Sequence, residues 1–482
     1  MNYKFKTEPY QHQHDIWEKS WRAEYYALFL EMGTGKSKIA IDTMGALYQA
    51  GEIDTALLIA PKGVFDNWVR KEVPTHLPDD IECRIVRWQP NFTQKFTNEI
   101  KDVAIRGESK ALHILVMNIE ALSTKKGAQS AYRFLQRNPN NFCLIDESTT
   151  IKNRQASRTK NVMALTGVSK YRRILTGSPI TKSPMDLYSQ CDFLHSDALG
   201  FKSFYSFQGR YAVIQRRSMG HRSFQHIVGY RKLDELTQKL NGFSTRVLKC
   251  ECLDLPDKVY TQREVPLTTE QKKVYNQMKE MALAQVESGE LATTQSVLTQ
   301  LMRLQQIACG SLRTDDGEIQ DIKNNRMTEL LAVVEEVPEK AIIWATFTQD
   351  ILNIQEALTK AYGEDSVAIY YGDTPQDERQ AIVERFQDPD SPLRFFVGQP
   401  RTGGYGITLT AANTMIYYSN SYDLEIRLQS EDRAHRIGQD RSVTYVDLVS
   451  PDTIDEVILR ALRNKINLAS TVLGEDPKEW LR

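Results

Sequence analysis

Short apolar runs recur along this chain, each closed by a turn-forming or polar residue and followed by helical spacing. In the first half they are Tyr26–Leu30, Ala56–Ala60 closed by Pro61, Leu112–Met117, Phe142–Ile145 and Tyr171–Leu175. Runs that stay apolar instead of alternating are the pattern of strands buried on both faces. Lys38–Met44 has helical spacing, and a helix is expected to begin after Lys62. The second half repeats this texture with Ala341–Phe347, Val367–Tyr371, Arg394–Gly398 and Thr414–Tyr418, and with a helix over Arg379–Phe386. Between the halves, Leu267–Gln271 reads as a capped helix start and Val297–Ile307 continues in helical period. Strands alternating with helices predict an α/β fold with doubly wound parallel sheets.

Length and composition narrow the class. At 482 residues the chain is too long for a single core, so two or more domains are expected. Apolar residues make up 41% and charged ones 26%, ordinary for a globular protein, and the formal net charge is −1. Any polyanion partner must therefore meet a local basic surface. The N-terminal Met1-Asn2-Tyr3-Lys4-Phe5-Lys6 lacks the apolar core of a signal peptide, and no run approaches the roughly 20 apolar residues of a membrane span. A cytoplasmic protein with no membrane partner is expected. Cysteines 83, 143, 191, 250, 252 and 309 form no C-x-x-C pair, and Cys250-Glu251-Cys252 is too tight for the usual zinc spacing, so all six read as reduced and structural.

Candidate chemistry begins after the first strand. Glu31-Met32-Gly33-Thr34-Gly35-Lys36-Ser37 joins that strand to a helix, the layout of a phosphate cradle. Gly33, Thr34 and Gly35 would turn backbone N–H groups toward an anion, Lys36 would reach β/γ-phosphates, and the Ser37 hydroxyl would hold Mg²⁺. Leu30 stands where the strict G-x-x-x-x-G-K-[ST] pattern has its first Gly, which leaves open a glycine-rich connection with a solvated lysine. Upstream, the Gln11 amide could pair with an adenine edge, or simply belong to the surface. At the end of the fourth strand, Asp146-Glu147 places two carboxylates where a Mg²⁺ ligand and a water-activating base belong. A helix start with favourable acidic residues is the alternative. No second Gly-Lys-Ser follows in the second half, so that half reads as completing a site in the first. Arg433 and Arg436, one helical turn apart, could face a γ-phosphate as arginine fingers, or simply pattern a surface helix.

Between the halves, residues 201–233 carry many Arg and Lys, no Asp or Glu, and interleaved aromatics. Tyr211–Ser218 and His221–Tyr230 flank Met219-Gly220, a β-hairpin pattern with Arg216, Arg217 and Arg222 near its tip. A DNA-contacting pin and a surface insertion packed on the first domain both fit. Leu253–Lys258 reads as a linker, dividing the chain into 1–198, 199–253 and 254–482.

Glu-Met-Gly-Thr-Gly-Lys-Ser, Ile-Ala-Pro-Lys, Ile-Asp-Glu-Ser, Leu-Thr-Gly-Ser-Pro-Ile, Gly-Gly-Tyr-Gly-Ile-Thr-Leu-Thr-Ala-Ala and Gln-Ser-Glu-Asp-Arg-Ala-His-Arg-Ile-Gly-Gln, in this order, resemble successive motifs of superfamily 2 helicase-type ATPases of the Snf2 branch. The resemblance covers nearly the whole chain. It implies two RecA-like lobes with ATP and Mg²⁺ between them, and movement along duplex DNA. Carried over by motif, Gln11 would read adenine and Gly33–Ser37 would hold phosphates. Asp146 and Glu147 would be Mg²⁺ ligand and base, Thr176 and Ser178 would couple the lobes, and Gln429, Arg433 and Arg436 would complete the site in trans. Lys62, Asn118, Thr346 and Arg401 fall in segments that face DNA in relatives, through contacts that are largely sequence-independent.

Thr149 stands where relatives carry the His of Asp-Glu-x-His, so coupling would need a different hydrogen bond. Leu30 replaces a frequent Asp, and Ser37 the usual Thr. The resemblance is closest to small stand-alone members of bacteria and phages, expected as monomers in a bacterial or phage-infected cytoplasm. The expected function is ATP-dependent translocation that remodels forked or branched DNA. A processive strand-separating helicase is the alternative, or an ATP-switched module that displaces proteins from DNA.

Overall fold

The computed structural model describes residues 3–473 apart from 63, 92, 95, 97, 99–110, 220–221, 288–293, 314–317 and 404–406. Two compact units divide it, formed mainly by Met1–Leu253 and Asp254–Asn467.

In the first unit the apolar runs become β1 (Tyr25–Leu30), β2 (Thr55–Ala60), β3 (Cys83–Arg87), β4 (Leu112–Asn118), β5 (Asn141–Asp146) and β6 (Tyr171–Leu175). A separate antiparallel hairpin, β7 (Ala212–Met219) with β8 (Arg222–Tyr230), carries a bulge at Val213/Ile214, and β9 (Ser244–Val247) then returns to the sheet. The sheet order is β3-β4-β2-β5-β6-β1-β9, and every neighbouring pair is parallel. Helices α1 (Gln11–Ser20) and α2 (Lys36–Gln49) flank β1 in sequence, and side chains of both enter the same apolar core as β1, β2 and β5.

β6 contains two arginines and is still a strand. Arg173 is buried, and its guanidinium donates to the carbonyls of Ser20 at 2.9 Å, Ala23 at 2.7 Å and Arg172 at 2.9 Å. These carbonyls, with a longer bond to Trp21 O at 3.4 Å, replace water and make its burial tolerable. The edge strands β3 and β9 went unpredicted, because alternating or mixed polarity hides a strand that is half covered. The helix expected after Lys62 starts only at Phe65, is short, and passes through a wide π turn at Trp68–Glu72.

The second unit contains β10 (Lys258–Glu264), a two-stranded ribbon of β11 (Ser311–Arg313) and β12 (Ile319–Asp321), then β13 (Ala341–Trp344), β14 (Val367–Tyr370), β15 (Phe395–Gly398), β16 (Thr414–Tyr417) and β17 (Val443–Val449). Its main sheet, β10-β17-β16-β13-β15-β14, is again parallel throughout. The architecture is therefore α/β with two parallel sheets. Two strands of this sheet were not read from the pattern. β10 begins at Lys258, the last residue of the expected linker, and is mostly exposed; β17 is buried but interrupted by Asp447.

A buried polar cluster sits beneath this sheet. Arg326, fully buried, pairs with Asp455 and donates to Ser450 Oγ at 2.9 Å, and Ser450 N donates to Asp455 at 3.1 Å. Asp350 shares this cluster, is 2% exposed, and has one carboxylate oxygen without a hydrogen-bond partner. Burial pushes its carboxyl up to about 7, against the opposing pull of Arg326 and of a hydrogen bond from Cys309. The folded state thus holds a proton between about pH 4 and 7 that the unfolded chain has released, so stability falls as pH rises through that window. Urea unfolding of the second unit should show a loss of roughly 3–4 kcal/mol from pH 4.5 to pH 8. Asp350→Asn should flatten this slope, and an unchanged slope would remove Asp350 as its source.

Candidate nucleotide site and strand-end residues

The loop after β1 turns because of its glycines. Gly33 has φ +82° and Gly35 φ +93°, left-handed values that L-residues rarely adopt. A side chain at Gly35 would also run into Gln13, whose Nε2 would lie 2.2 Å from the new Cβ. Thr34 is buried, and its hydroxyl donates to Glu31 O at 2.7 Å, closing the turn. Helix α2 begins at Lys36, with Ser37 in its first turn, so its free N–H groups point into the loop. The Lys36 ammonium folds back to the carbonyls of Leu30 (2.9 Å) and Glu31 (3.1 Å).

Asp146 ends β5 and Glu147 follows. Parallel pairing puts β5 beside β6 and β6 beside β1, so these carboxylates emerge on the same sheet edge as the loop. Asp146 Oδ2 accepts from Trp68 Nε1 at 2.9 Å, and Oδ1 from the Glu147 N–H at 3.0 Å. Burial pushes the Lys36 ammonium down and the Asp146 carboxyl up, and each charge opposes the other's shift. Glu147 adopts φ +49°, a conformation costing on the order of 1 kcal/mol for a residue with a side chain, and such strain concentrates at functional sites. Its carboxylate accepts from Thr176 Oγ1 at 3.2 Å, and Thr176 Oγ1 accepts from Ser178 N at 3.1 Å. A second link joins the same two segments: Ser148 Oγ donates to Gln190 Oε1 at 2.7 Å, and Gln190 Nε2 donates to Pro179 O at 2.8 Å. The segment lacking the expected His is thus tied to the Thr176–Pro179 turn by other hydrogen bonds. Thr149 itself is buried.

The structure brings Gly33–Ser37, Asp146, Glu147, Thr176 and Ser178 together in the first unit. Gln11 is exposed, and its amide donates to Asp15 at 2.7 Å. The neighbours that reach the loop are His12 and Gln13, which donate to Thr34 O at 2.9 and 3.2 Å. No periodicity distinguishes Gln13 from Gln11; only the placement of α1 does.

In the second unit, Arg433 and Arg436 do not lie on a helix as the spacing led us to expect. The helix Leu424–Glu431 ends before them, and both sit in the following turns. They meet nonetheless: Arg433 donates to Ile407 O at 3.0 Å and Arg436 to the same oxygen at 3.3 Å. Arg433 Nε also donates to Gln429 O at 2.8 Å, which ties the third residue of this set to them.

The residues expected to face DNA fall in pairs at strand ends. Lys62 follows β2 and Asn118 ends β4, with Ala60 in register with Asn118. Thr346 follows β13 and Arg401 lies past β15, with Trp344 in register with Gly398, and Gln399 Nε2 donates to Thr346 O at 3.0 Å. In the hairpin Arg216 is exposed; the side chains of Arg217 and Arg222, like Gly220 and residues 404–406, lie outside the described residues. Among the described residues no helix is long and apolar enough to cross a membrane.

Residues 23–311 match the SNF2-related domain. The chain belongs to the SNF2-related family. Residues 322–438 of this SNF2-related chain match the helicase conserved C-terminal domain. It is 26% identical over 451 residues to an uncharacterized ATP-dependent helicase, MG018, of Mycoplasma genitalium, covering 92% of this chain and 40% of that protein. It is 26% identical over 496 residues to a putative ATP-dependent helicase/translocase, YwqA, of Bacillus subtilis, covering all of this chain and 50% of that protein. The chain spans half or less of the length of these two relatives. A solved structure, the Sulfolobus solfataricus SWI2/SNF2 ATPase core in complex with dsDNA, aligns over 100% of this chain and 98% of its own, with 25% identity and a TM-score of 0.44.

Proposed function

We propose that this SNF2-related chain hydrolyses ATP and uses the cycle to translocate on DNA, remodelling forked or branched duplexes. One observation carries the reading: a glycine loop with its lysine, a buried Asp and a strained Glu converge on one edge of a parallel sheet. Family membership, and relatives named as ATP-dependent helicases or translocases, support it.

In this reading Gly33–Ser37 hold the phosphates, and Lys36 trades its two carbonyl partners for β/γ oxygens. Glu147 takes a proton from the attacking water, and Thr176 holds its carboxylate in place. Arg433 and Arg436, with Gln429, meet charge developing on the γ-phosphate. Among the described residues no group of three His, Cys, Asp or Glu could hold a metal by itself. Mg²⁺ binds through one or two protein oxygens plus substrate phosphates, and Ser37 and Asp146 are the residues that would provide them. When bound, Mg²⁺ neutralises phosphate charge as the bond breaks.

The pairs Lys62/Asn118 and Thr346/Arg401 would meet phosphates of the tracked strand, and the hairpin would stand at a junction. ATP turnover should be measured with no DNA and with single-stranded, duplex, forked and four-way DNA. Stimulation greatest by forked or four-way DNA is expected; no stimulation by any of them would overturn the reading. Replacing Arg216, Arg217 and Arg222 together by Ala should leave duplex-stimulated turnover within about twofold and reduce fork remodelling at least tenfold. Full remodelling by that variant would return the hairpin to a surface insertion.

A further inference from the structure

Past the end of β9 the chain makes one short turn, Lys249–Cys252, against the glycine loop. Strand register brings it there. Leu30 pairs with Val247, and Glu31 N donates to Val247 O at 3.0 Å, so two residues farther on Lys249 arrives beside the loop. Its backbone is pinned: Lys249 N donates to Glu31 Oε2 at 2.6 Å, and Leu248 N to Glu251 Oε2 at 2.7 Å. The residue is 6% exposed, and its Cε stands 3.9 Å from where a Cβ on Gly33 would lie. Its terminal carbon therefore lies on the side of Gly33, the residue whose left-handed turn shapes the cradle. Three residues earlier, Arg246 Nη1 donates to Phe29 O at 3.1 Å and Gly177 O at 2.8 Å, locking β9 both to the strand before the loop and to the turn after Thr176.

We propose that Lys249 is a second phosphate-binding lysine, its ammonium approaching from the β9 side over Gly33 to hold a terminal phosphate oxygen of the nucleotide. This rests on the reading of Gly33–Ser37 as a nucleotide loop. A nucleoside triphosphate brings about four negative charges into a cradle that Lys36 and the α2 N-terminus serve from one side. A lysine ammonium is a compact point charge, suited to a phosphate without bidentate geometry. The β9–Cys252 segment, pinned by Arg246 and by Glu31, delivers that charge with its backbone already ordered.

The test is calorimetric binding of ADP and of a non-hydrolysable ATP analogue to the wild-type chain, Lys249→Gln, Lys249→Arg and Lys36→Ala. Lys249→Gln should weaken the ATP analogue about tenfold or more, the size of one charge-assisted hydrogen bond, and should weaken ADP less. Lys249→Arg should stay within about threefold of wild type. Equal affinities for Lys249→Gln and wild type would overturn the proposal. A second measurement needs no variant. Pyridoxal 5′-phosphate followed by borohydride should tag Lys36 and Lys249 in the wild-type chain, and ADP should protect both. Lys249 left untagged, or tagged equally with and without ADP, would overturn the proposal. Failure of the wild-type chain to bind either nucleotide would instead defeat the loop reading itself.

Discussion

Glu147→Gln is expected to lower ATP turnover by about three orders of magnitude while leaving nucleotide affinity within a few-fold of wild type. The substitution keeps the size of the side chain and an oxygen that can still accept from Thr176 Oγ1. It removes only the carboxylate's capacity to take a proton. The Lys36 environment should change little in geometry, since its ammonium donates to the carbonyls of Leu30 and Glu31. Loss of one carboxylate charge should lower the proton affinity of Lys36, because Glu147 is among the charges that hold its ammonium up. Single-turnover hydrolysis and equilibrium binding, measured on the same preparation, separate these effects. Turnover within tenfold of wild type would show that another group activates water.

Arg433→Ala and Arg436→Ala come next, each expected to reduce kcat by about 10³ with little change in KM, the range seen when an arginine finger is lost. The two differ in their surroundings. Arg433 is 4% exposed and bonded to Gln429 O and Ile407 O, so its removal takes a donor from both carbonyls, of which Ile407 O keeps Arg436. Some loss of stability should accompany Arg433→Ala, perceptible as a lower melting temperature, whereas Arg436→Ala should melt close to wild type. Arg433→Lys restores a charge but not a planar fork, and should recover folding more than turnover. A fall in stability with kcat intact would make Arg433 a packing residue of the Ile407 turn.

Where the residues of the candidate site emerge was legible because parallel α/β sheets export chemistry to a single edge. Once Tyr26–Leu30, Phe142–Ile145 and Tyr171–Leu175 are read as buried parallel strands, whatever follows each of them must emerge on the same side. Lys36, Asp146, Glu147, Thr176 and Ser178 needed no more than that. Arg433 and Arg436 illustrate the converse. Their spacing implied a helix, yet the helix stops at Glu431, and a shared carbonyl at Ile407 brings the two guanidinium groups together. Three of the four edge strands of the two main sheets escape the pattern for another reason. β3, β9 and β10 have one neighbour each, so their polarity is mixed and carries no clean period.

By itself the sequence determined the class of fold, the order of its motifs and the identity of the groups that end each buried strand. Those depend on local apolar runs and on glycines at positive φ, which are properties of a few consecutive residues. Only the tertiary structure decided which side chains support them from far away in the chain. Trp68 holds Asp146 across 78 residues, Gln190 ties Ser148 to Pro179, and Gln13, not Gln11, braces the loop. Arg246 and Lys249 reach the loop after more than 200 intervening residues, because β9 pairs with β1 at the sheet edge. Such contacts follow from strand order and register, which no local pattern encodes.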